Sequence, residues 1–189
     1  MTMLNSVGYH NALKAFDKAS SSSGELHAAI GALTMWTIDN AVYVPTHLRP
    51  EEVVPREVFT MFGAKSYSLL DSRILWTADA IREWFGKPIV INNWHQGLIE
   101  ILKLDTFDQR GFRLKPIGNA TYSQHLFGRA IDFNIVGVSD EEVQHRIRVN
   151  AGKEAALRFV TRMEQNTVGW THVDCMNTGT DTLTIFKGA

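Results

Sequence analysis

The chain has 189 residues, of which 44% are hydrophobic and 21% are charged, a composition typical of a globular protein with a core and not of a disordered chain. The formal net charge of -1 gives no excess of basic residues, so we expect neither nucleic acid nor a membrane surface as a partner. The single cysteine, Cys175, excludes an internal disulfide and a thiolate metal site, and any metal would be bound by histidine and carboxylate. We expect Cys175 itself to be a small buried side chain.

The first part of the sequence has mostly helical patterns. Residues 8–19 and 25–36 carry apolar side chains at helical spacing, and the serine- and glycine-rich residues 20–24 between them are typical of a flexible linker. Residues 41–48 favour an extended segment up to its proline. We interpret residues 1–66 as an N-terminal extension, which is either an assembly arm or a segment that packs onto the following domain.

Neither an export signal nor a membrane span is recognisable in the sequence. The N-terminus has no basic start followed by an apolar stretch, and no apolar run approaches the roughly 20 residues of a membrane span. We therefore expect the protein to be made in the cytoplasm without a signal peptide. If it acts on a cell wall, another component must give it access.

The middle of the chain contains the clearest helix. Pro50, followed by two glutamates, indicates a helix start. Apolar side chains at helical spacing predict an amphipathic helix over residues 70–85, which ends at Gly86. A short strand is predicted directly afterwards, at residues 88–92.

The second half of the chain predicts strands that display polar side chains. Residues 130–136 alternate, so that Asp132 lies on the face opposite the apolar row. Residues 169–175 form a strand on which three side chains share one face: Trp170, His172 and Asp174. Residues 184–186 indicate a last edge strand.

A further helix is predicted between these strands. Ser139 and Glu142 form a capping-box pattern, and the helix is expected to continue to about Met163 with an interruption near Gly152. Helices mixed with a few strands indicate an α+β domain. We expect residues 67–189 to form a small antiparallel sheet with flanking helices.

His125 and Asp132 are the strongest candidates for metal ligands. They stand seven positions apart, and an odd separation on one straight strand would put them on opposite faces. Gly128 between them tolerates a turn that brings the imidazole back beside the carboxylate, and His172 offers a third ligand from another strand. Two imidazoles and one carboxylate suit Zn²⁺ and leave its fourth position open. The alternative is an ordinary histidine and aspartate pair without metal.

A longer pattern contains these residues. The segment SQHLFGRAIDFNI at residues 123–135 reads Ser-x-His-x-x-Gly-x-Ala-x-Asp, and Trp-x-His follows at residues 170–172. This pattern resembles the zinc D-Ala-D-Ala carboxypeptidase and L-Ala-D-Glu endopeptidase family, and especially its phage-encoded members. The small α+β fold of that family is shared with the Hedgehog signalling domain. The resemblance extends more loosely over residues 70–175.

The resemblance implies a role for each residue of the site. The zinc ligands would be His125, Asp132 and His172. Arg113 would bind the substrate carbonyl or stabilise an oxyanion, and an exposed arginine in a salt bridge is the alternative. Ser123 and Trp170 would contact the substrate. The resemblance also implies a zinc metallopeptidase as the activity and a peptidoglycan peptide as the substrate.

The catalytic carboxylate is not at its usual position. Many family members carry it three residues before the last zinc-binding histidine, and this chain has Gly169 there. Asp174, two residues beyond His172, lies on the same strand face with its Cα roughly 6.6–6.8 Å away. It is a candidate for the general base or for a residue that orients a ligand histidine. Glu164 is a third candidate, if the helix that it ends bends toward the site.

Three functions follow from this interpretation. The first is hydrolysis of an amide bond in peptidoglycan by a phage lysin or by a wall-degrading protein of the phage particle. The second is a structural or binding protein of the particle, in contact with other virion proteins, that keeps the fold and metal without turnover. The third is a cytoplasmic dipeptidase that acts on free D-Ala-D-Ala.

Overall fold

A computed structural model describes four stretches of the chain, which are residues 43–97, 106–118, 120–180 and 182–188. The helices predicted over residues 8–19 and 25–36, and the linker between them, lie outside these described residues. Within the described stretches, no helix has the length and apolar character needed to cross a membrane.

The described residues contain three α-helices: α1 (Arg56–Phe62), α2 (Ser72–Phe85) and α3 (Asp140–Asn150). Helix α2 confirms the amphipathic helix predicted from the sequence. It begins after Asp71, whose side chain accepts a hydrogen bond from the backbone N–H of Arg73, as expected of an N-cap. It ends at Gly86, where a left-handed φ of 63° favours glycine because a Cβ atom would be strained there.

Four short 3-10 helices accompany them in the described part of the chain, at Pro50–Glu52, Gly63–Leu69, Gln124–Phe127 and Ala155–Leu157. The first confirms the helix start predicted at Pro50. Proline stands at the beginning of this element, where its missing N–H would have no helical partner in any case.

A five-stranded sheet forms the centre of the described structure, with the order β1-β2-β4-β3-β5. Its strands are β1 (Ile89–Val90), β2 (Ala130–Ile135), β3 (Arg162–Glu164), β4 (Thr171–Asp174) and β5 (Thr184–Phe186). The predicted strands are confirmed at β1, β2, β4 and β5. Three of the pairings are antiparallel, but β3 and β5 run parallel. The sheet is therefore mixed, and the prediction of a purely antiparallel sheet was wrong because β5 returns to the outer side of β3.

Helix α3 is shorter than the sequence predicted. Ser139 caps it as expected, since its hydroxyl accepts a hydrogen bond from the backbone N–H of Glu142. The helix ends at Asn150, and Gly152 follows in a left-handed conformation with φ 75°. Met163, which was expected at the helix end, instead lies fully buried in β3. The apolar residues beyond Gly152 belong to a 3-10 helix and to strand β3. The prediction of a continuous helix to about Met163 was therefore wrong.

The core joins α2 to the sheet and includes residues that precede position 67. Leu48, Val53, Val54 and Val58 are at most 3% exposed and belong to the same hydrophobic cluster as the buried side chains of α2 and β2. The backbone N–H of Phe112 also donates to the carbonyl of Val53. The described part of the N-terminal extension therefore packs onto the domain core. Cys175 is completely buried, as predicted.

Candidate metal centre

A glycine turn brings His125 to the start of β2. The 3-10 helix Gln124–Phe127 ends at Gly128, which has a left-handed φ of 62°. A Cβ atom at this position would lie 2.1 Å from the carbonyl oxygen of Leu69, so glycine is required both by the backbone conformation and by the close approach. Its own carbonyl accepts a hydrogen bond from the N–H of Asp71 at the start of α2. The turn predicted near Gly128 is confirmed.

The three predicted metal ligands lie together. Asp132 is directly opposite His172 in the pairing of β2 with β4, and the turn adds His125. His125 Nε2 is 3.2 Å from His172 Nδ1 and 3.3 Å from Asp132 Oδ1, and His172 Nδ1 is 2.7 Å from the same oxygen. Ligands that surround a tetrahedral zinc at 2.0–2.2 Å are about 3.4 Å apart. The three side chains are buried and could hold a metal ion.

Each ligand is held from behind by a second partner. His125 Nδ1 donates a hydrogen bond to the carbonyl of Gly111 at 2.7 Å. Asp132 Oδ2 accepts one from Arg113 Nη2 at 2.7 Å. His172 Nε2 lies 3.5 Å from a carboxylate oxygen of Asp174, a longer contact. Metal-binding histidines commonly donate their other ring N–H to a carbonyl or a carboxylate in this way, which fixes the ring.

In the metal-free centre the pKa shifts favour a protonated His172 beside an ionised Asp132 and a neutral His125. Burial acts to raise the pKa of Asp132, but His125 and His172 outweigh it and hold that pKa well below its usual range. Burial lowers the pKa of His125. Burial also acts to lower the pKa of His172, but hydrogen bonds with Asp132 and Asp174 outweigh it and raise the pKa to about 9. A metal ion would therefore replace a proton on His172.

Asp174 lies beside His172 as the sequence predicted, and Arg162 holds it there. Asp174 is 0% exposed. Its two oxygens accept three hydrogen bonds from Arg162 at 2.7–3.0 Å and one from the backbone N–H of Met176. Burial acts to raise the pKa of Asp174, but His172 and Arg162 outweigh it and lower the pKa. The carboxylate is thus a fixed charge behind the histidine ring.

The candidate ligands border a cleft of about 620 Å³. The other residues that the sequence singled out for substrate contact also line it, namely Arg113, Ser123 and Trp170. Arg113 is not an exposed arginine, because its side chain is only 13% exposed and is bonded to Asp132. It also donates from Nε to the carbonyl of Gln109.

Gly169 has a structural reason for being glycine. Its φ of 92° lies in a region that residues with a side chain rarely adopt. Its carbonyl accepts a hydrogen bond from Asn134 Nδ2 at 2.9 Å, and its N–H donates to Asp140 at 3.1 Å. This turn sets the entry into β4, and a carboxylate-bearing residue at position 169 would strain it.

The cleft also contains residues that sequence reasoning did not place there. Phe186 packs edge-on against the ring of His172, with centroids 5.7 Å apart, and Lys187 and Gly188 follow it along the cleft. Glu164 reaches the cleft from β3, and not from the end of a helix. The parallel pairing of β3 with β5 aligns Glu164 with Phe186, and no local pattern in the sequence indicates this pairing.

The donor set of the centre consists of two imidazoles and one carboxylate. Such a set suits zinc as well as other divalent transition metals. In comparisons with protein-family models, with curated proteins and with solved structures, no match to this chain was found.

Proposed function

We propose that this protein is a zinc-dependent peptidase that hydrolyses an amide bond in peptidoglycan peptides. The observation that carries the proposal is the convergence of His125, Asp132 and His172 at the edge of a cleft, each with a partner behind it. Three protein ligands leave one position open, which is the arrangement of catalytic and not of structural zinc sites.

The zinc and the residues around it would divide the work of hydrolysis. Bound Zn²⁺ supplies Lewis acidity, which lowers the pKa of water to about 7 and polarises an amide carbonyl. Arg113 fixes Asp132 through Oδ2 and lines the cleft, so its positive charge is placed to stabilise an oxygen that becomes negative. Ser123 and Trp170 provide a polar and an aromatic wall against which a peptide can be oriented.

The choice of substrate follows from the sequence pattern. Ser-x-His-x-x-Gly-x-Ala-x-Asp followed by Trp-x-His resembles the zinc D-Ala-D-Ala carboxypeptidases and L-Ala-D-Glu endopeptidases, and we infer the same fold for this domain. The α+β architecture and the mixed sheet are compatible with that inference. A phage lysin released by a holin, or a wall-degrading protein carried by the virion, would meet this substrate.

Metal analysis combined with a cleavage assay tests the proposal. Untagged wild type is compared with His125→Ala and with His145→Ala, a control because His145 is exposed on α3. We expect about one zinc per chain in the wild type and in the control, together with release of peptides from purified peptidoglycan. His125→Ala should lose both. Absence of metal from the wild type would reject the proposal.

A binding protein of the phage particle is the second candidate. The fixation of Asp174 by Arg162 and the glycine at position 169 favour it, because neither residue then supplies a mobile carboxylate. Zinc bound without hydrolysis of peptidoglycan or of its peptides would support this candidate. Cleavage of D-Ala-D-Ala without cleavage of intact wall would instead support the dipeptidase.

A further inference from the structure

Glu164 has a position in the sheet that the strand register defines. The antiparallel pairing of β3 with β4 ends at Met163 and Val173, and the same register extended by one residue brings Glu164 next to His172. On the other side of β4, Asp132 is opposite the same histidine. Directly opposed residues project from one face, with Cβ atoms roughly 4.5–5.5 Å apart. Glu164 therefore flanks His172 on the side away from Asp132.

The carboxylate of Glu164 borders the cleft. Glu164 is half-buried and lines the cleft, and within the described stretches its side chain makes no hydrogen bond or ion pair. A Cβ atom at position 188 would lie 1.8 Å from Glu164 Oε1, so the carboxylate rests against the backbone of Gly188. Burial lowers the pKa of Arg113, and the negative charges of Asp132 and Glu164 oppose this effect.

Asp174 differs from Glu164 in each of these respects. It is completely buried, and hydrogen bonds from Arg162 and from the N–H of Met176 occupy its oxygens. Among the described residues that line the cleft, Asp174 does not appear. A general base must reach the proton that it abstracts. Glu164 lines the cleft in which water and substrate would lie, whereas Asp174 is buried away from it.

We propose that Glu164 is the residue that transfers protons during hydrolysis, and that Asp174 only positions His172. The assignment depends on the proposed peptidase function. Glu164 takes a proton from water as the water oxygen bonds to the carbonyl carbon of the substrate. It then gives this proton to the amide nitrogen as the carbon–nitrogen bond breaks. The new carboxyl group loses its proton to the amine, and Glu164 is again a carboxylate.

The test compares Glu164→Gln with Asp174→Asn and with Glu141→Gln, a control in which Glu141 is exposed on α3. For Glu164→Gln we expect kcat on a peptidoglycan peptide to fall about 10²–10⁴-fold, with KM unchanged. Its affinity for zinc, measured by competition with a chromophoric chelator, should equal that of wild type. Asp174→Asn should instead weaken zinc binding about 10–100-fold. Glu141→Gln should change neither quantity.

Two further variants address the same carboxylate in other ways. In Glu164→Ala, added formate should restore part of the lost rate, because it supplies a carboxylate in the vacated space. Gly188→Ala must displace Oε1 of Glu164, and we expect it to lower kcat while zinc affinity is retained. Urea unfolding of each variant distinguishes a loss of rate from a loss of fold.

The outcomes separate this assignment from the proposed function. An active wild type with a Glu164→Gln variant within about threefold of its kcat would reject the assignment alone. A raised KM with unchanged kcat would also reject it, since Glu164 would then bind a substrate ammonium group. Weaker zinc binding in Glu164→Gln would reject it in favour of a structural role. A wild type that binds zinc but hydrolyses nothing would reject both proposals.

Discussion

Raising the pH of the chelated protein from about 6.5 to about 8.5 is expected to lower its free energy of unfolding by about 1–2 kcal/mol. The cause is His172, whose pKa is about 9 in the folded protein and 6.5 when unperturbed. A group whose pKa is raised by folding stabilises the protein fully below the unfolded pKa. This stabilisation is lost as the pH rises through the folded pKa.

The size of the effect follows from the two pKa values. At pH 6.5 the unfolded histidine is about half protonated, and the folded one is almost fully protonated. At about pH 8.5 roughly three quarters of the folded molecules keep the proton, and almost none of the unfolded ones do. Burial raises the pKa of the Cys175 thiol to about 12. Ionisation of Cys175 therefore changes the free energy of unfolding substantially only at a pH above the usual pKa of a thiol. Burial lowers the pKa of His125 and of His95, and each opposes the effect by only about 0.4 kcal/mol over this window, so His172 dominates the change below about pH 8.5.

Urea unfolding at several pH values, with a chelator present, measures this effect. His172→Gln removes the titrating ring and should abolish the decrease in stability over the same window. In zinc-loaded protein the trend should reverse, because metal binding requires a neutral imidazole and becomes tighter as protons leave. A flat profile for the chelated wild type would refute the reasoning, since the proton could not then be held on His172 by Asp132 and Asp174.

Two substitutions test the supports of the centre. Gly128→Ala should reduce the free energy of unfolding by about 3 kcal/mol or more. Its Cβ would lie 2.1 Å from the carbonyl oxygen of Leu69, in a left-handed backbone conformation. A loss below about 1 kcal/mol in urea unfolding would contradict this prediction. Arg113→Gln should weaken zinc binding about tenfold, because Asp132 loses the hydrogen bond to Oδ2. Unchanged affinity in chelator competition would show that the arginine does not hold the ligand.

The elements that the sequence predicted correctly carry their signals locally. Helix α2 has an aspartate cap, an apolar stripe and a terminal glycine within its own residues. The turn at Gly128 also belongs to a short segment, which is why the neighbourhood of His125 and Asp132 could be predicted. His172 was predicted as the third ligand from the residue pattern and not from strand pairing. In the structure, the register of β2 with β4 places His172 opposite Asp132.

The elements that were missed depend on contacts between distant segments. Strand β3 has three residues, which are too few for a periodic pattern. The sequence before it has apolar residues at helical spacing. Its parallel partner β5 brings Phe186 beside His172, a contact between residues far apart in sequence. The bonds from Arg162 to Asp174 arise because the two residues are opposed across β3 and β4. Residue types alone do not reveal such pairs.

The direct opposition of Asp132 and His172 makes the centre sensitive to strand alignment during folding. Successive side chains of a strand point to opposite faces, so a slip of β4 by one residue would turn His172 away from Asp132 and present Val173 in its place. A misaligned sheet would then lack the complete set of ligands. Metal binding would favour only the molecules with the native alignment, and added zinc should raise the yield of correctly paired protein during refolding.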